Sequence, residues 1–573
     1  MAVTHAWWQE ATIYQIYPAS FKDSNADGIG DLPGILSQLD YIKSLGVDAI
    51  WICPMYDSPQ YDMGYDISDY ESVYRPYGTV SDMDNLIAAC HERGMRIILD
   101  LVINHTSHLH AWFQESRSSR ENPKRDWYIW RPAKYDSAGN RRPPNNWRGN
   151  FGGSVWEWDE HTQEYYLHLF CPEQPDLNWE NPETRAALYE SSMEFWLRKG
   201  IDGFRIDTVN MYSKEPDFRD APIIDPGVEW QHAAEYFCNG PRMHEYLREM
   251  NCILSKYGAM TVGELPNTPD VAKVLKYVSA RERQLNMVFQ FDIVDLGFGK
   301  DQKYDTVPRN WCLNDLREAV SRMQSLIDGT DAWTTVFMEN HDHARSISRF
   351  GSDKTPELRD RSGKMLAMLL ATLSGTLYLY QGQEIGAVNA PKSWPMDEYK
   401  DVESNNYYAL VREKTNGDAT ALTRTKAAIQ HLARDHARMP MQWDATFNAG
   451  FSSSPTPWMR VNDNYPEINV KRATLDHNSI LSFWKKMLQL RKEYADLFIR
   501  GTFKPLDVEN EQVLTFEKKV ANRSAFVVLN FTDSEQPFPS VPGLSLSGVK
   551  KLIGNYDGRV SGAFRPFEGV VFV

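Results

Sequence analysis

The sequence predicts an α/β protein whose centre is a closed (β/α)8 TIM barrel, with a loop-rich domain inserted after the third strand and an antiparallel β domain at the C-terminal end. Two observations support this fold class. Short β-branched or aromatic runs alternate with amphipathic helical patterns over most of the 573 residues, and such alternation implies a parallel sheet. Eight strand-like runs occur, which implies a closed barrel, with an open doubly wound sheet as the alternative.

The first three predicted strands are separated by two helical patterns. Residues 11–18 are strand-like, and residues 35–46 place apolar side chains at helical spacing before a glycine that is typical of a helix end. Residues 47–53 form the second predicted strand, and residues 81–94 form the second helix, which opens with a Ser/Asp cap. Residues 95–104 form the third strand, so the chain begins as a regular βα repeat.

The βα repeat is interrupted once and then resumes. Residues 106–176, rich in Trp, Asn, Gly and Pro, break the pattern and are predicted to form an inserted domain. A helical pattern at 187–200 and a strand at 201–209 restart the alternation. The last four strands are predicted at 259–264, 287–294, 333–340 and 376–384.

Two further segments follow the last strand. Residues 386–445 are a long polar insertion, which we expect to form a lid. Beyond residue 500 the helical pattern stops, and short alternating runs predict an antiparallel β domain over 501–573. The barrel itself is therefore predicted to consist of residues 1–105 and 177–500.

The composition excludes several classes of partner. A formal net charge of −15 leaves no basic surplus to neutralise the phosphates of a nucleic acid or an anionic membrane. The most apolar run, residues 365–380, is short for a membrane span and contains a Ser-Gly break. The six cysteines form no C-x-x-C pair, which excludes the usual zinc spacing and is typical of a reducing compartment. Because no signal-peptide pattern is visible, we expect a cytoplasmic enzyme, monomeric or weakly homo-oligomeric.

Charged and polar residues lie at the ends of four predicted strands. In a (β/α)8 barrel, the side chains that do chemistry lie at the C-terminal ends of the strands. Any one of these residues, taken alone, is well explained as a satisfied polar group of the core. Together they meet at one rim, which favours a functional site. They are Asp100, Asn104 and His105 after the third strand, Arg205 and Asp207 at the fourth, Glu264 at the fifth, and His341 and Asp342 at the seventh.

The same residues belong to an ordered set of motifs, and this set resembles the α-amylase family of glycoside hydrolases. The resemblance is greatest to the branch that holds α-glucosidases and oligo-1,6-glucosidases, and it covers essentially the whole chain. Each motif alone is weak, whereas the ordered set is highly specific. The motifs are YQIYPASF (14–21), DLVINH (100–105), QPDLN (174–178), GFRIDTVN (203–210), VGE (262–264), FMENHD (337–342) and RMPMQW (438–443).

The resemblance implies three catalytic carboxylates. Asp207 corresponds to the nucleophile, Glu264 to the general acid/base, and Asp342 to the carboxylate that positions the reacting sugar. A retaining glycosidase needs one ionised carboxylate to form a glycosyl-enzyme and a second, protonated one to release the leaving oxygen. Crowded carboxylates raise one another's pKa, so we expect Glu264 to be neutral near neutral pH. Arg205, on the same strand face as Asp207, is expected to keep Asp207 ionised.

The resemblance also implies side chains that hold the sugar. A pocket that closes around the far hydroxyls of the terminal glucose accepts chain ends, so we expect exo-acting cleavage. For the tyrosine of this set, ordinary loop packing is the alternative. In this interpretation Asp62 and Arg438 clamp the far hydroxyls, Tyr65 stacks beneath the ring, His105 and His341 hydrogen-bond hydroxyls, and Phe170 forms part of the wall.

Three positions bear on substrate preference. Thr208 follows the nucleophile, where valine resembles relatives that prefer α-1,6 linkages and threonine or alanine resembles relatives that prefer α-1,4 linkages. We therefore expect maltose to be preferred over isomaltose. His436 stands where relatives usually carry asparagine, and His343 stands where another residue is commoner. Both are expected on the acceptor side, so the acceptor and the extent of transglucosylation stay open.

A loop near the start of the chain has the pattern of a cation site. Oxygen ligands that alternate around a glycine turn suit a hard cation such as Ca²⁺ or Mg²⁺, and similar loops in the family bind these ions structurally. The twelfth position is Gly34 rather than Glu and no helix precedes the loop, so the pattern departs from an EF-hand. An unfilled turn rich in Asp and Asn is the alternative. The predicted ligands are Asp23, Asn25, Asp27, the carbonyl of Ile29, and Asp31.

The function expected from the sequence is a retaining α-glucosidase that releases glucose from maltose, malto-oligosaccharides and related α-glucosides, with sucrose as a further candidate. No organic cofactor is expected. The alternatives on the same scaffold are an oligo-1,6-glucosidase and a sucrose isomerase or transglucosylase, although such isomerases carry a distinctive charged segment where this chain has RDHAR (434–438). A non-catalytic alternative, the ectodomain of an amino-acid transporter heavy chain, predicts lost acids and an N-terminal membrane helix.

Overall fold

Eight parallel strands form the centre of the computed structural model, which describes residues 6–544, 548–560 and 562–573. In chain order they are β1 (Thr12–Ile16), β2 (Ala49–Ile52), β3 (Arg96–Leu101), β4 (Gly203–Ile206), β5 (Met260–Glu264), β6 (Met287–Phe289), β7 (Thr335–Val336) and β8 (Thr376–Tyr380). Their order in the sheet is β6-β5-β4-β3-β2-β1-β8-β7, and each hydrogen-bonded pair is parallel. The predicted (β/α)8 fold is therefore confirmed.

The barrel is nearly closed, and β6 and β7 form its seam. The hydroxyl of Thr335 on β7 donates to the carbonyl of Val288 on β6 at 3.0 Å, so a side chain supplies a hydrogen bond here. After β7 the chain leaves the sheet for a polar turn, in which Asn340 Oδ1 accepts from the backbone N–H of Asp342 at 2.8 Å. The predicted strands 287–294 and 333–340 are therefore shorter in the structure, Met287–Phe289 and Thr335–Val336.

Helices cover the outside of the barrel. The predicted helix 81–94 is observed as Val80–Glu92 and begins at a reciprocal capping box. Two predicted helices are interrupted, 35–46 by a break into Leu32–Ser37 and Leu39–Ser44, and 187–200 by the π-helical segment Tyr189–Glu194. The other long helices of the barrel are Met243–Leu254, Val271–Val278, Leu313–Ser325, Pro356–Thr372 and Ile480–Glu493.

The inserted segment and the polar insertion after β8 lie next to each other. The inserted segment contains the helix Ala111–Ser118 and a small antiparallel sheet of Trp130–Arg131, Glu164–Leu167 and Trp156–Asp159. The insertion after β8 contains two long helices, Val402–Lys414, hereafter the lid helix, and Ala419–Leu432, and the short helix Asp435–Arg438. Asn406 on the lid helix donates to the backbone carbonyl of Phe151 in the inserted segment.

A five-stranded antiparallel sheet ends the chain, as the alternating runs predict. Among the residues that the structure describes, no helix is long and apolar enough to cross a membrane. In sheet order the strands are Thr502–Leu506, Val513–Val520, Arg523–Asn530, Gly569–Phe572 and Lys551–Gly554.

Lys518 is a buried cation where this sheet packs against the barrel. Its side chain is fully buried, and its ammonium donates to the hydroxyl of Ser374, just before β8. The guanidinium of Arg491 donates to the carbonyls of residues 371, 373 and 375 in the same region. Burial lowers the pKa of Lys518 to about 7, although Asp328 opposes the shift. A charge buried against a neutral hydroxyl is a net burden on the folded state.

Lys518→Met is expected to raise the Tm at pH 7, because replacing buried charge by apolar volume gains about 1–4 kcal/mol in comparable cases. The pKa of Lys518 is lower in the folded state than in the unfolded chain. The buried ammonium therefore destabilises the folded state most below pH 7, and this destabilisation shrinks as the pH rises towards the pKa of an unfolded lysine. The gain in Tm should therefore be smaller at pH 9 than at pH 7. Thermal unfolding at both pH values tests this, with the exposed neighbour Lys519→Met as control. A lower Tm for Lys518→Met at both pH values would contradict it.

Candidate active site

One guanidinium joins three buried carboxylates at the rim of the barrel. Arg205 Nη1 lies 2.8 Å from Asp100 and 2.6 Å from Asp207, and its Nη2 lies 2.8 Å from Glu264. Asp100 lies on β3, Asp207 directly follows β4, and Glu264 is the last residue of β5. Because β3, β4 and β5 are neighbours in the sheet, their C-terminal ends bring these side chains together.

Thr208 contacts both of the acids that the sequence predicts as nucleophile and acid. Its backbone N–H donates to Glu264 Oε2 at 3.0 Å, and its hydroxyl donates to Asp207 Oδ2 at 3.2 Å. The φ angle of Thr208 is +39°, a left-handed conformation that a β-branched residue rarely adopts. Backbone strain of this kind persists where the surrounding structure holds it, and it is commonest at functional sites. One strained residue thus fixes the positions of two carboxylates.

Burial gives the two acids different pKa values. Burial raises the pKa of Asp207 to about 6, although Arg205 opposes the shift. Burial raises the pKa of Glu264 to about 8, and the charges of Asp207 and Asp342 add to the rise. The expected effect of Arg205 is therefore only partial, because burial outweighs the ion pair. Near pH 7, Asp207 is mostly ionised and Glu264 is mostly protonated.

The dependence of kcat/KM on pH is expected to be bell-shaped, with a maximum near pH 7. Activity should fall below about pH 6, where Asp207 becomes protonated, and above about pH 8, where Glu264 loses its proton. Initial rates on maltose from pH 4.5 to 9.5 would measure both limbs. Rates that stay constant from pH 5 to pH 9 would contradict the assignment of the two acids.

Asp342 is a third acid, and it stays ionised. Its Oδ1 lies 2.7 Å from Arg438 and 3.2 Å from Arg434, and its Oδ2 lies 3.0 Å from His341 Nε2. Although burial acts to raise the pKa of Asp342, His341 and the two arginines hold it well below its ordinary value. Asp342 therefore keeps its negative charge across the pH range in which Glu264 and Asp207 titrate.

His341 and Tyr65 stack on each other, with ring centroids 5.3 Å apart and planes 8° apart. Burial lowers the pKa of His341 to about 4, so the ring is neutral. The amide nitrogen of Gln15 faces Nδ1 at 2.9 Å, so the ring proton lies on Nε2, which faces Asp342. His105 Nε2 lies 3.0 Å from the carbonyl of Tyr65. These residues are hydrogen-bonded to one another, and their contacts with a sugar stay a prediction.

Asp62 pairs with Arg434, whereas Arg438, the residue expected to clamp the far hydroxyls together with Asp62, does not contact it; the contacts of both with a sugar stay a prediction. Arg434 Nη2 lies 3.4 Å from Asp62 and 2.6 Å from Asp401, whereas Arg438 contacts Asp342 and, at 3.5 Å, Asp401. The two arginines lie one helical turn apart, so the sequence alone does not show which of them reaches Asp62. Sequence reasoning missed Arg434 and Asp401. For Arg434, the available signal was the RDHAR motif, which contains two arginines four residues apart.

Phe170 lies half-buried between two other rings. Its ring centroid is 5.1 Å from that of His105 and 5.7 Å from that of Phe151. The guanidinium of Arg434 lies over the Phe151 ring, 4.9 Å from its centroid. Sequence reasoning missed Phe151, whose signal was a single aromatic residue in the glycine-rich turn 149–153. The inserted segment thus reaches the arginine that pairs with Asp62.

The two unusual histidines are buried in the fold. His436 Nδ1 accepts from the backbone N–H of Ala390 at 3.1 Å, and its Nε2 faces another carbonyl of the same insertion at 3.2 Å. His343 Nδ1 lies 2.7 Å from Asn340 Oδ1, and its ring stacks on Phe298. Burial lowers the pKa of both rings, so both are neutral at pH 7. Each histidine therefore stabilises the loops near the site by hydrogen bonds.

The predicted cation loop folds around its own backbone. Asp23 accepts three hydrogen bonds from N–H groups of the loop and one from Ser452, which fills its four acceptor positions. Asp31 accepts three more, from Ser24 and Gly34. Within the described ranges, no three His, Cys, Asp or Glu side chains meet in a way that could hold a metal ion. As arranged, the residues fit a turn rich in Asp and Asn better than an ion site, and structural Ca²⁺ or Mg²⁺ stays a prediction.

Comparison with known proteins identifies the family. A model of the α-amylase catalytic domain matches residues 15–501. An α-glucosidase of Candida albicans is 52% identical, with 99% of each chain covered. An oligo-1,6-glucosidase of Saccharomyces cerevisiae is 48% identical, with 99% of this chain and 98% of the other covered. Among solved structures, a mutant isomaltulose synthase of Erwinia rhapontici in complex with sucrose matches with a TM-score of 0.91 at 38% identity, covering 100% of this chain and 99% of the other.

These matches cover nearly the whole chain, including the sequence motifs and the eight strands of the barrel. They confirm the predicted family and the prediction of a glycoside hydrolase, and they do not support the non-catalytic alternative. The coarse activity that they establish is that of an α-glucosidase or oligo-1,6-glucosidase. The chain therefore belongs to the α-amylase family of glycoside hydrolases, in the branch that contains the α-glucosidases and oligo-1,6-glucosidases.

Proposed function

We propose that the protein is a retaining, exo-acting α-glucosidase that releases glucose from the non-reducing end of maltose and short malto-oligosaccharides, with α-1,4 linkages preferred. The observation that carries the proposal is the pair of Asp207 and Glu264, which share one guanidinium and have pKa values of about 6 and about 8. An ionised nucleophile beside a protonated acid is the arrangement that a retaining glycosidase needs.

The proposed reaction has two displacements. In the first, a carboxylate oxygen of Asp207 attacks the anomeric carbon as the glycosidic bond breaks, and Glu264 gives its proton to the departing oxygen. This leaves a glucosyl ester on Asp207 and a carboxylate on Glu264. In the second, Glu264 takes a proton from water while the water oxygen attacks the anomeric carbon and frees Asp207. Two inversions at one carbon restore the α configuration.

The shared guanidinium supports retention of configuration. Retaining pairs of carboxyl groups lie about 5–5.5 Å apart, whereas inverting pairs are about 6.5–9.5 Å apart to admit a water molecule between them. Adjacent nitrogens of Arg205 contact Asp207 at 2.6 Å and Glu264 at 2.8 Å. Two carboxylates held this close favour direct attack by Asp207 over attack by an interposed water.

The ion pair of Asp62 with Arg434 supports exo-acting cleavage. Both side chains are buried, and Arg434 also contacts Asp342, so the pair lies beside the acid that would position the terminal sugar. Carboxylate and guanidinium groups at this place are suited to the hydroxyls of a chain end. They would also obstruct further sugars beyond that end.

Glucose release from maltose, isomaltose, sucrose and trehalose would test the proposal, with products separated by chromatography and their anomers followed by NMR. We expect maltose to give the highest kcat/KM and α-glucose to form first. Preference for isomaltose would favour the oligo-1,6-glucosidase alternative, which the 48% identical yeast relative represents. Isomeric disaccharides from sucrose would favour the isomerase alternative. First formation of β-glucose would exclude retention.

Thr208→Val is expected to raise the ratio of kcat/KM for isomaltose to that for maltose by about tenfold, a typical effect of a changed pocket contact. The substitution keeps β-branching at the strained position and removes the hydroxyl that donates to Asp207. Thr208→Ser, which keeps the hydroxyl, is the control and should keep the wild-type ratio. An unchanged ratio in Thr208→Val would remove Thr208 from the determinants of linkage preference.

Location and assembly extend the proposal. We infer a cytoplasmic enzyme, monomeric or weakly homo-oligomeric, that takes neutral α-glucosides as substrates. The net charge of −15 and the absence of a C-x-x-C pair support this. Fractionation of cells and sedimentation of the purified protein would test the two statements separately.

A further inference from the structure

Arg345 is a buried arginine three residues after Asp342, and the proposed reaction gives it no role. Its guanidinium donates to three backbone carbonyls of two other segments. Nη1 donates to Gln381 at 2.8 Å, Nε to His436 at 3.2 Å, and Nη2 to Ala437 at 3.4 Å. One side chain therefore joins the turn after β7, the end of β8 and the insertion after β8.

Two of these carbonyls belong to the short helix Asp435–Arg438. The last carbonyls of a helix have no partner inside it and need donors from elsewhere. Arg345 supplies two such donors. Arg434 directly precedes this helix and Arg438 ends it. The helix that Arg345 fixes thus carries both of the arginines that contact Asp342.

The guanidinium of Arg345 is closely packed at the end of β8. It lies over the ring of Tyr380, 5.0 Å from the centroid. The hydroxyl of Tyr380 donates to the carbonyl of Ala437 at 2.8 Å, the same carbonyl that Arg345 contacts. A Cβ at Gly382 would lie 3.3 Å from both terminal nitrogens of Arg345, so glycine lets the backbone approach this closely. Packing therefore holds the donors of Arg345 in one orientation.

Glu339 balances the charge of Arg345. Its Oε1 lies 3.7 Å from Arg345 Nη1, and its Oε2 accepts from the backbone N–H of Ser346. Both charged side chains are buried, and a buried charge is costly unless it is paired. Burial raises the pKa of Glu339, although Arg345 opposes the shift. Because the pair consists of residues on either side of Asp342 in the chain, it closes the loop that presents this acid.

We propose that Arg345 is a positioning residue for sugar binding and that it acts through Arg434 and Arg438. By fixing the helix that carries them, it holds both guanidinium groups against Asp342. Precise placement matters, because a shift of about 1 Å in a substrate-positioning group can lower the rate about 10²-fold. The inference rests on the proposed role of Asp342 in holding the reacting sugar, and it extends that role to a residue one contact further away.

The test measures kcat/KM on p-nitrophenyl α-glucoside, a substrate that does not depend on the linkage preference. Arg345→Met is expected to lower kcat/KM by about tenfold to hundredfold. Arg491→Met is the matched control, because Arg491 is also a buried guanidinium that donates to three carbonyls, at the other end of β8. The control should keep kcat/KM close to the wild-type value. Equal losses in the two variants would overturn the inference.

A double-mutant cycle tests whether Arg345 acts through the helix. In an Arg438→Met background, Arg345→Met should lower kcat/KM by only about threefold or less, because one of the side chains that it positions is already gone. Residues that do not act through one another show additive losses. The same fold-loss in both backgrounds would therefore overturn the inference.

Arg345→Lys keeps a positive charge beside Glu339 and so guards against a folding defect. An ammonium does not reproduce the planar fork of a guanidinium, so this variant should unfold at the wild-type temperature and still lose about fivefold or more of kcat/KM. In both variants the acid limb of the pH profile should become steeper. The reason is that displaced arginines let the pKa of Asp342 rise, and Asp342 then titrates together with Asp207. Wild-type kcat/KM and a wild-type acid limb in Arg345→Lys would overturn the inference.

The aryl glucoside also separates this inference from the proposed function. A wild type that cleaves p-nitrophenyl α-glucoside but releases no glucose from maltose would overturn the proposed preference for maltose. The comparison of the Arg345 variants with Arg491→Met would still decide the role of Arg345.

Discussion

Asp207→Asn is expected to lower kcat on maltose by about 10⁴-fold or more, because an amide cannot form the glucosyl ester. Asparagine has nearly the same volume, and its carbonyl oxygen can still accept from Arg205, which lies 2.6 Å from the native carboxylate. The loss should therefore appear in activity and not in folding. Single-turnover rates on maltose and a thermal unfolding curve would measure both.

The matched control for this variant is Asp100→Asn. Asp100 is buried and contacts the same Arg205 nitrogen at 2.8 Å, but the proposed reaction gives it no bond to the sugar. Its replacement should cost far less activity than the replacement of Asp207. Equal losses in the two variants would mean that charge balance around Arg205, and not nucleophilic attack, explains the result.

Glu264→Gln is expected to lower kcat/KM on maltose by about 10²–10⁴-fold, the usual contribution of a general acid. The loss in kcat/KM, which reports the first displacement alone, should be much smaller on an aryl α-glucoside such as 2,4-dinitrophenyl α-glucoside, whose leaving group departs without a proton. The variant should also lose the alkaline limb of the pH profile, because Glu264, with its pKa of about 8, causes that limb. Glutamine keeps the oxygen that accepts from the Thr208 N–H. Equal losses of kcat/KM on both substrates would contradict the role of Glu264 as acid.

The barrel could be predicted because its signal is local. Each strand is a short β-branched or aromatic run between helical patterns, and the side chains at the strand ends follow from the fold. The lengths of β6 and β7 could not be predicted in this way. Their sequences continue the strand pattern, but the chain leaves the sheet so that the polar turn after β7 can place Asn340 and Asp342 at the rim.

The contacts between separate segments could not be predicted from the sequence. Arg434 and Arg438 share one motif and both contact Asp342, and only tertiary packing decides that Arg434 also reaches Asp62. The same holds for Asp401, which reaches the site from the N-cap of the lid helix. Such ion pairs depend on the packing of loops that lie far apart in the chain. The periodic patterns that predict helices and strands carry no information about them.

The order of strands in the sheet has a consequence for how the chain is made on the ribosome. β1, at residues 12–16, pairs with β2 on one side and with β8, at residues 376–380, on the other. The edge of β1 that pairs with β8 therefore stays unpaired until most of the barrel has been synthesised. An unpaired strand edge is a template for association with other chains. Nascent or truncated chains that end before β8 are thus the species that most need protection by chaperones.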